Sequence, residues 1–483
     1  MSPARTAAQE KAVLSDQREI CVTAGAGSGK TRVLVERFVR LVLETEIPVD
    51  AILAITFTEK AAADMKERIA GAFEEAGAEE ERRKVEFSYI STIDAFCARL
   101  LRENALEAGV DPRFRVLSEI EAERLMREAA DTILLAHPQE RLFELVEATR
   151  IPDLSASLRA LYKKIRHAGM PLSTATLEPV SQSEIGEEIL SEGLRELGRA
   201  KRLERLTPRQ EEMIQSLLGL SGEIALLPAD APPIEVGRSF KLFRSRFVFH
   251  GTKERPALQG ALKRIEEGLN TWRSERLERA AGPLRATLGG LLPLFDAEYQ
   301  RQKRSLAALD FADLEWLARD LLSRSTEVRQ RLQRRFRHVF LDEFQDTNPL
   351  QKEIVDQLRG GHGFLVAGDA KQSIYGFRDA DVALLATFQR TAEASGGHIP
   401  LPENFRSRPE LVEFSNRLFS SSLWRPGPVP FSPMVAAAAH DSKPFPSVEI
   451  LMAEGEDAVS SRIRVGEAPS GRVAEVVEGG RAR

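Results

Sequence analysis

The strongest constraint on this chain is a glycine-rich turn between a predicted strand and a predicted helix. Ile20–Thr23 is a short, mostly apolar run that is typical of a buried strand. From Arg32 to Glu44, apolar residues recur at helical spacing. The turn between these two segments reads Ala24, Gly25, Ala26, Gly27, Ser28, Gly29, Lys30 and Thr31. A strand, a turn of this kind and a helix, in that order, predict a phosphate-binding loop in a parallel α/β fold.

The residue types of this turn suit a nucleoside triphosphate and its magnesium ion. Glycines allow backbone N–H groups to point inward around phosphate oxygens, and the helix N-terminus adds a partial positive charge. We expect Lys30 to reach the β- and γ-phosphates and the Thr31 hydroxyl to bind Mg²⁺. The usual pattern begins with glycine, whereas Ala24 holds that place here. The alternative is a glycine-rich turn that binds no ligand.

Two adjacent carboxylates follow another predicted strand, His338–Leu341. Because the carboxyl ends of parallel strands meet at one edge of a sheet, we expect Asp342 and Glu343 to lie beside the phosphate-binding loop. Asp342 would hold Mg²⁺ through water, and Glu343 would orient and deprotonate the attacking water. In isolation such a pair is usually a solvated turn. Joined to a phosphate-binding loop, it predicts nucleotide hydrolysis.

Two further polar segments each follow an apolar run. In the first, Gln372 is a candidate sensor of the γ-phosphate, while Phe377 and Arg378 are candidates for stacking on a base and binding a phosphate. In the second, Arg406 is a candidate arginine finger, which stabilises charge on the transferring phosphoryl group. The alternatives are a polar loop whose aromatics belong to the core, and an arginine in a surface ion pair.

Composition excludes several classes of protein. With 68 basic and 73 acidic residues the net charge is −5, which excludes a globally basic protein but not a basic groove on an acidic body. Two cysteines, Cys21 and Cys97, exclude a disulfide scaffold and a four-cysteine metal site within the chain. No apolar run approaches the roughly 20 residues of a membrane span, so we expect no membrane partner. A length of 483 residues suggests roughly three domains.

Alternation of strands and helices in the first hundred residues, and again from about residue 336, predicts parallel α/β structure. Between residues 100 and 300, long helical patterns predict a mostly helical insertion. Within the insertion, Arg238–Phe249 interleaves cations with aromatics, a pattern that can hold a nucleic-acid strand. The alternative, which we favour, is an amphipathic segment whose phenylalanines belong to the core.

Eight segments occur in a fixed order along the chain. They are Gln9 within TAAQEKAV, AGAGSGKT, ITFTEKAAADMKERI, STIDAFCARLLR, LDFADL, VFLDEFQDTN, VAGDAKQSIYGFRDAD and LPENFRS. Together they cover residues 1 to about 120 and 299 to about 420, and they resemble superfamily 1 helicases of the UvrD/Rep type. The segment DPRFRVLSEIEAERLMREA and the long helical insertion most resemble the AddA/RecB branch, which processes double-strand breaks.

The resemblance implies an α/β fold class: a P-loop RecA-like parallel sheet domain with a large, mostly helical insertion and the start of a second RecA-like domain. The first RecA-like domain would be discontinuous, over residues 1–100 and 300–398. The inserted domain would span residues 101–299 and lie along DNA. Residues 399–483 would begin the second RecA-like domain.

The resemblance also implies roles for individual residues. Gln9 would contact the adenine edge, and Phe405 would stack on adenine. Arg406 would be the first of two arginine fingers. Single-stranded DNA would meet four residues of the first domain, namely Phe57, Thr58, Ser91 and Thr92.

The function implied by the resemblance is that of an ATP-dependent, 3′-to-5′ DNA helicase or translocase in recombination and double-strand-break repair. Its cofactors would be ATP and Mg²⁺, and its partners would be single- and double-stranded DNA. A second nuclease/helicase subunit, AddB- or RecC-like, is the further expected partner. The expected location is the bacterial cytoplasm, in association with the nucleoid.

The chain also departs from the family pattern. No segment resembles the later motifs HxxKGLEF and YVALTRA, so we expect the front half of a longer protein or a truncated product. The alternative function is therefore an ATP-binding, DNA-binding fragment or regulatory subunit that does not unwind DNA. A third interpretation, an unrelated small-molecule kinase, is disfavoured by DEFQDTN and QSIYGFR together.

Overall fold

A computed structural model provides the fold. It describes residues 5–149, 151–170, 172, 185–203, 206–228, 231, 233–245, 256–376, 380–420 and 431–437. Phe377 and Arg378, predicted to contact DNA, lie outside the described residues, as does most of the predicted second RecA-like domain.

The strands are short, and several lie where the sequence predicts them. They are β1 (Glu19–Ala24), β2 (Ile52–Thr56), β3 (Tyr89–Thr92), β4 (Arg115–Val116), β5 (Ala308–Leu309), β6 (His338–Leu341), β7 (Gly363–Gly368), β8 (His398–Leu401), β9 (Glu403–Asn404) and β10 (Val435–Ala436). The composition of the sequence VAAAAHDSKPFP is typical of a loop or linker, yet its first two residues form β10. They pair in parallel with β9, which supplies the backbone hydrogen-bond partners that the sequence pattern does not reveal.

Helices make up most of the described structure. They are α1 (Ala7–Leu14), α2 (Lys30–Leu43), α3 (Glu59–Glu75), α4 (Glu79–Lys84), α5 (Ile93–Glu103), α6 (Ala105–Ala108), α7 (Glu119–Ala136), α8 (Gln139–Thr149), α9 (Leu154–His167), α10 (Ile185–Leu203), α11 (Pro208–Leu218), α12 (Leu220–Ala225), α13 (Pro233–Ser245), α14 (Pro256–Ser305), α15 (Phe311–Arg324), α16 (Thr326–Arg335), α17 (Pro349–Leu358), α18 (Val382–Ala394) and α19 (Pro409–Ser420). Within the described part of the chain, every helix is too short or too polar to cross a membrane.

Contacts divide the chain into two compact units. The first contains the described residues of Met1–Thr92, Gln330–Thr347 and Leu358–Arg483. The second contains those of Ile93–Arg329 and Asn348–Gln357. The first unit therefore joins both regions for which the sequence predicts α/β structure, and the second holds the predicted helical insertion. The assignment of these units to named helicase domains stays a prediction.

The first unit is built on a parallel sheet, as predicted. Among the described residues, six strands lie in the order β3–β2–β6–β7–β1–β8, and each neighbouring pair is parallel. Because all six run the same way, the loops that follow them emerge at one edge of the sheet. The turn after β1 and the polar segments after β6, β7 and β8 thus share that edge.

The core of the first unit forms on a face of the sheet that α2 covers. Phe38 of α2 is fully buried, and its ring meets that of Phe340 edge-on at 6.5 Å between centroids. Val22 of β1, Ala54 of β2 and Leu365 of β7 belong to the same buried cluster. Burying one such side chain contributes about 2 kcal/mol, so this contact helps to hold α2 against the sheet.

The second unit is helical and has two buried clusters joined by α14. One surrounds Trp272 and the other surrounds Phe295, both residues of α14. The sequence predicts long helices in this region without giving their full extent, and α14 has 50 residues. Its Gly268 packs against α10 so closely that an added Cβ would lie 2.5 Å from the backbone nitrogen of Leu190. A glycine that resembles a helix break in the sequence is therefore a packing site in the fold.

A buried polar cluster fixes the C-terminal end of α14. The ammonium of Lys303, which is 1% exposed, binds the carboxylates of Asp310, at 2.9 Å, and Asp313. The Tyr299 hydroxyl also donates to Asp310 at 2.6 Å, and Arg166 pairs with Asp313 at 3.2 Å. Each buried charge here has an opposite partner, which is the condition for keeping charged groups in a core.

Candidate functional site

The turn after β1 has the backbone of an anion-binding loop. Gly27 and Gly29 have φ values of 73° and 88°, in the left-handed region that favours glycine. The Ser28 hydroxyl donates to the Gly25 carbonyl at 2.8 Å and closes the turn. Gly29 is the N-cap of α2, and within the described structure no side chain caps its first N–H groups. Those donors and the positive end of the helix dipole favour a phosphate group.

The loop after β8 is bonded directly to this turn. The Asn404 side-chain amide donates to the Ala26 carbonyl, and the Phe405 N–H donates to the Gly27 carbonyl, each at 2.8 Å. A Cβ at Gly27 would lie 2.5 Å from the Cβ of Arg406. The structure therefore brings Phe405 and Arg406 against the phosphate-binding turn. Their predicted contacts with adenine and the phosphoryl group stay predictions.

Gln9 lies on the other side of the turn, at the start of α1. Its side chain is 2% exposed, and its amide donates to the Ser28 carbonyl at 3.0 Å. Its oxygen accepts from the N–H of Thr6, the N-cap of α1, at 3.2 Å. Gln9 thus joins α1 to the phosphate-binding turn, and its predicted contact with adenine stays a prediction.

The predicted lysine and carboxylate come together across the sheet edge. Lys30 Nζ lies 2.7 Å from Glu343 Oε2. Glu343 has a φ of 53°, a left-handed backbone that is rare for a residue with a long side chain. Its N–H donates to a carboxylate oxygen of Asp342 at 3.0 Å. Strained backbone of this kind persists only where the surrounding structure holds it, and it is found most often at functional sites.

Electrostatics at this edge favour a cation. Burial, together with the neighbouring Glu343 carboxylate, raises the pKa of Asp342 to about 6, and the Lys30 charge offsets this only in part. Two carboxylates thus face one ammonium, which leaves net negative charge. Among the described residues no group of three or more His, Cys, Asp or Glu could hold a metal alone. Mg²⁺ is usually held by one or two carboxylates, waters and substrate phosphates, so Asp342 and the Thr31 hydroxyl fit it.

One residue of this site carries no predicted role. The Gln345 side-chain amide donates to Glu343 Oε2 at 2.8 Å, and its oxygen accepts from the Asp369 N–H at 2.9 Å. The Asp369 carboxylate in turn accepts from the Gln372 amide at 2.8 Å. A Cβ at Gly368 would lie 2.8 Å from the Gln345 oxygen, so the last residue of β7 leaves room for this bridge.

Gln345 thus links the carboxylate that pairs with Lys30 to the predicted phosphate sensor Gln372. Its signal in the sequence is a second polar side chain, two positions after Glu343. That signal is weak, because the partner Asp369 is distant in the chain and is brought close only by β7.

The residues predicted to meet single-stranded DNA lie at the carboxyl ends of β2 and β3. The ring of Phe57 lies 4.4 Å from that of Tyr375, measured between centroids. Thr58 caps α3 by accepting from the Ala61 N–H, and Thr92 donates to Glu59 at 2.7 Å. Both threonine hydroxyls therefore also make hydrogen bonds within the fold. Ser91 precedes Thr92 on β3, and the DNA contacts of all four residues stay predictions.

Comparison with known proteins agrees with this geometry. Residues 5–393 match the family model described as the UvrD/REP helicase N-terminal domain. The chain is 31% identical to the A subunit of the ATP-dependent helicase/nuclease of Syntrophomonas wolfei, over 86% of this chain and 38% of that protein. The protein of the same name from Bacillus cereus strain AH820 is 31% identical, over 85% of this chain and 39% of the relative.

A third relative, of the same name, from Staphylococcus carnosus, is 26% identical over 97% of this chain and 44% of its own length. The chain thus spans about two fifths of the length of these curated relatives. The family match covers far more than half of the chain, including the turn after β1 and the segments after β6 and β7. The chain therefore belongs to the UvrD/REP helicase family, in its N-terminal domain.

Proposed function

We propose that this chain is the nucleotide-hydrolysing part of an ATP-dependent DNA helicase or translocase. The observation that carries the proposal is the 2.7 Å pairing of Lys30 with Glu343 at the sheet edge where the phosphate-binding turn ends. Family membership supports the same activity. The chain would hydrolyse ATP and couple that hydrolysis to movement along DNA.

In the proposed reaction each residue at the sheet edge has one task. The N–H groups of the turn and the Lys30 ammonium bind the β- and γ-phosphates. Glu343 orients the attacking water and accepts its proton, which requires it to leave Lys30 for the water once phosphate takes the ammonium. Gln372 senses the γ-phosphate, and Arg406 stabilises the charge that develops on it. Asp342 and Thr31 would hold Mg²⁺, which neutralises phosphate charge.

The nucleoside end of ATP would lie between the elements that flank the turn. Phe405 would stack on adenine, and Gln9 would contact its edge. Both residues are already bonded to the turn, Gln9 through Ser28 and Phe405 through Gly27. This placement supports the proposal, because base and phosphates must bind on one connected surface.

For the DNA side we propose single-stranded DNA at Phe57, Thr58, Ser91 and Thr92, with duplex DNA ahead of it. We propose movement in the 3′-to-5′ direction, in recombination and double-strand-break repair, within the bacterial cytoplasm at the nucleoid. A second, AddB- or RecC-like nuclease/helicase subunit is the proposed partner. The names of the relatives, each the A subunit of a helicase/nuclease, favour this assignment.

A second function is supported by one observation: the 483 residues contain no segment like the later helicase motifs. In that case these residues bind ATP and DNA but do not unwind a duplex by themselves. Without a second arginine finger, hydrolysis would fall by about 10³-fold or more.

Steady-state ATP turnover of the full chain, with and without single-stranded DNA, separates the two functions. A motor is expected to hydrolyse ATP faster on DNA, and Glu343→Gln is expected to abolish the increase. Background turnover that DNA does not change, with nucleotide binding intact, would leave the second function. A wild-type chain that does not bind nucleotide would contradict both functions. Duplexes with a 3′ or a 5′ single-stranded tail then test the direction of movement.

A further inference from the structure

One glycine of the phosphate-binding turn is not explained by its backbone. Gly27 and Gly29 lie in the left-handed region, whereas Gly25 does not. The usual pattern of the turn does not require glycine at this place either. What Gly25 lacks is room for a side chain, because an added Cβ would lie 3.1 Å from Sδ of Met434 and 3.5 Å from its Cγ. Ordinary carbon contacts are about 3.5–4.0 Å, so Met434 fills the space that a side chain would need.

Each glycine of the turn thus has a neighbour from a different element. Arg406, in the loop after β8, lies against Gly27, and Gln9 of α1 lies against Gly29. Met434 comes from the segment that leads into β10. Unlike the other two neighbours, Met434 belongs to none of the sequence segments with a predicted role.

Hydrogen bonds to its backbone fix the position of Met434. Its N–H donates to the side-chain oxygen of Asn416 at 3.0 Å, and its carbonyl accepts from the amide of Asn416 at 2.7 Å. One side chain of α19 therefore satisfies both backbone polar groups of this residue, as a neighbouring strand would. The next residue, Val435, begins β10, and its N–H donates to the Pro402 carbonyl at 2.8 Å. Met434 can move away from the turn only by breaking these bonds.

The thioether of Met434 also meets the loop after β8. Its sulfur accepts from the Asn404 amide at 3.7 Å, and the same amide donates to the Ala26 carbonyl at 2.8 Å. Sulfur is a weak acceptor, but an unbranched, polarizable methionine side chain fills an irregular space well. Met434 therefore touches the turn at Gly25 and supports the residue that holds the turn at Ala26.

We propose that Met434 is a positioning residue, which holds the first half of the phosphate-binding turn in the shape that binds nucleotide. It acts through Gly25 and Asn404 and does not itself bind the phosphates. Asn416 acts one step further away, by holding Met434. A turn that is already ordered loses less entropy when its ligand binds, so the effect is on nucleotide affinity. The inference rests on the proposed function in taking a nucleotide as the ligand of the turn.

The test is a double-mutant cycle at Gly25 and Met434, read out as the affinity of the full chain for ADP. Fluorescence anisotropy with a labelled ADP measures that affinity. We expect Gly25→Ala to weaken binding at least about fivefold, which is the lower end of what an overcrowded contact costs. Met434→Ala alone is expected to weaken binding about threefold to tenfold, because the turn loses its support.

The double variant measures the contact itself. Met434→Ala vacates the space beside Gly25, so adding Gly25→Ala in that background is expected to change affinity by less than about twofold, a coupling that independent sites do not show. Met434→Leu conserves the side-chain volume and should bind ADP within about twofold of the wild type. Asn416→Leu should weaken binding as Met434→Ala does, and combining these two should add less than about twofold.

Matched controls carry the same substitutions elsewhere. Gly71 of α3 also has no left-handed backbone, and a Cβ there would meet nothing within 4 Å. Met170 is an exposed methionine. Neither Gly71→Ala nor Met170→Ala is expected to change ADP affinity by more than about 1.5-fold. Urea unfolding of every variant separates a change in affinity from a general loss of stability.

Each outcome decides the proposal. Equal losses from Gly25→Ala in the two backgrounds overturn it, because the glycine would then make room for the nucleotide and not for Met434. Wild-type affinity in Met434→Ala overturns it as well, and so does a loss of affinity that only follows a loss of stability in urea. A wild-type chain that does not bind ADP overturns the proposed function together with this inference. A wild type that binds ADP, without coupling between the two positions, overturns this inference alone.

Discussion

The Lys30 ammonium and the Glu343 carboxylate form an ion pair at 2.7 Å. Each group has a proposed role toward ATP, and in this pair each neutralises the charge of the other. A γ-phosphate would therefore compete with Glu343 for the N–H donors of this ammonium. The pair makes the proposed base available only when the phosphate has taken its place.

This competition predicts that Glu343→Gln tightens nucleotide binding while it slows hydrolysis. The neutral amide holds Lys30 less strongly, so we expect a gain in ATP affinity of roughly three- to tenfold, or about 1 kcal/mol. Titration with a fluorescent ATP analogue measures it. Glu36→Gln is the control, because Glu36 lies on α2 outside the site and pairs with Arg5 and Arg32. Weaker binding in Glu343→Gln would mean that the carboxylate organises the turn instead of competing with phosphate.

The bridge made by Gln345 predicts a defect in hydrolysis with little defect in binding. Gln345→Leu frees the Glu343 carboxylate and leaves the buried Asp369 N–H without its acceptor. We expect turnover to fall about tenfold and the unfolding free energy to fall by about 1–3 kcal/mol. Steady-state kinetics and urea unfolding measure the two effects. Gln389→Leu, on the exposed side of α18, should change neither. Wild-type turnover in the Gln345→Leu protein would show that Gln345 has no part in hydrolysis.

The close approach of Arg406 predicts that Gly27 tolerates no larger residue. An alanine there must adopt a φ of 73° and place its Cβ 2.5 Å from the Arg406 Cβ. Gly77 has a similar φ of 69° but open space around it, so Gly77→Ala isolates the backbone cost, about 1–2 kcal/mol. We expect Gly27→Ala to cost more than Gly77→Ala in urea unfolding and to weaken nucleotide binding at least tenfold. Equal costs, with normal binding, would show that the loop after β8 moves aside freely.

Burial of His338 predicts a loss of stability in acid. Burial and the nearby charges of Arg37, Arg337 and His362 lower the pKa of His338 to about 4. Between about pH 6.5 and about pH 4 the unfolded chain takes up a proton that the folded chain does not, so stability falls as pH falls.

The His338 effect is measured by comparing urea unfolding of the wild type and His338→Gln at about pH 7.5 and about pH 5. We expect the wild type to lose about 1 kcal/mol more than the variant, allowing for partial exposure of the ring. Asp342 acts in the opposite direction, because its raised pKa favours the folded state in acid, and it is present in both proteins. An identical pH response of the two proteins would contradict the shift.

The polar cluster at the end of α14 predicts a large cost for removing its cation. Lys303→Met leaves the buried carboxylates of Asp310 and Asp313 without their ammonium. We expect the unfolding free energy of the helical unit to fall by about 3–5 kcal/mol. Lys263→Met, at an exposed position of the same helix, should cost less than about 0.5 kcal/mol. A small effect of Lys303→Met would mean that the carboxylates become protonated instead.

The sequence predicts the sheet edge well because the information there is local. An apolar run followed by glycines or carboxylates marks both a strand end and the chemistry placed on it, as at Lys30 and Glu343. Gln345 lacks such a signal, since its partner Asp369 becomes a neighbour only when β6 and β7 pair. The full length of α14 cannot be predicted from the sequence for a related reason. Glycines such as Gly268 disfavour a helix locally, and only the packing of α14 on α10 compensates for that cost.

The two hydrogen bonds from Asn404 and Phe405 to the turn have a mechanical consequence. They attach the segment after β8 to the carbonyls of Ala26 and Gly27, within the backbone that would wrap around phosphate. Any rearrangement of that backbone on gaining or losing a nucleotide is transmitted through these bonds to α19 and β10. The position of this segment would thus depend on which nucleotide is bound.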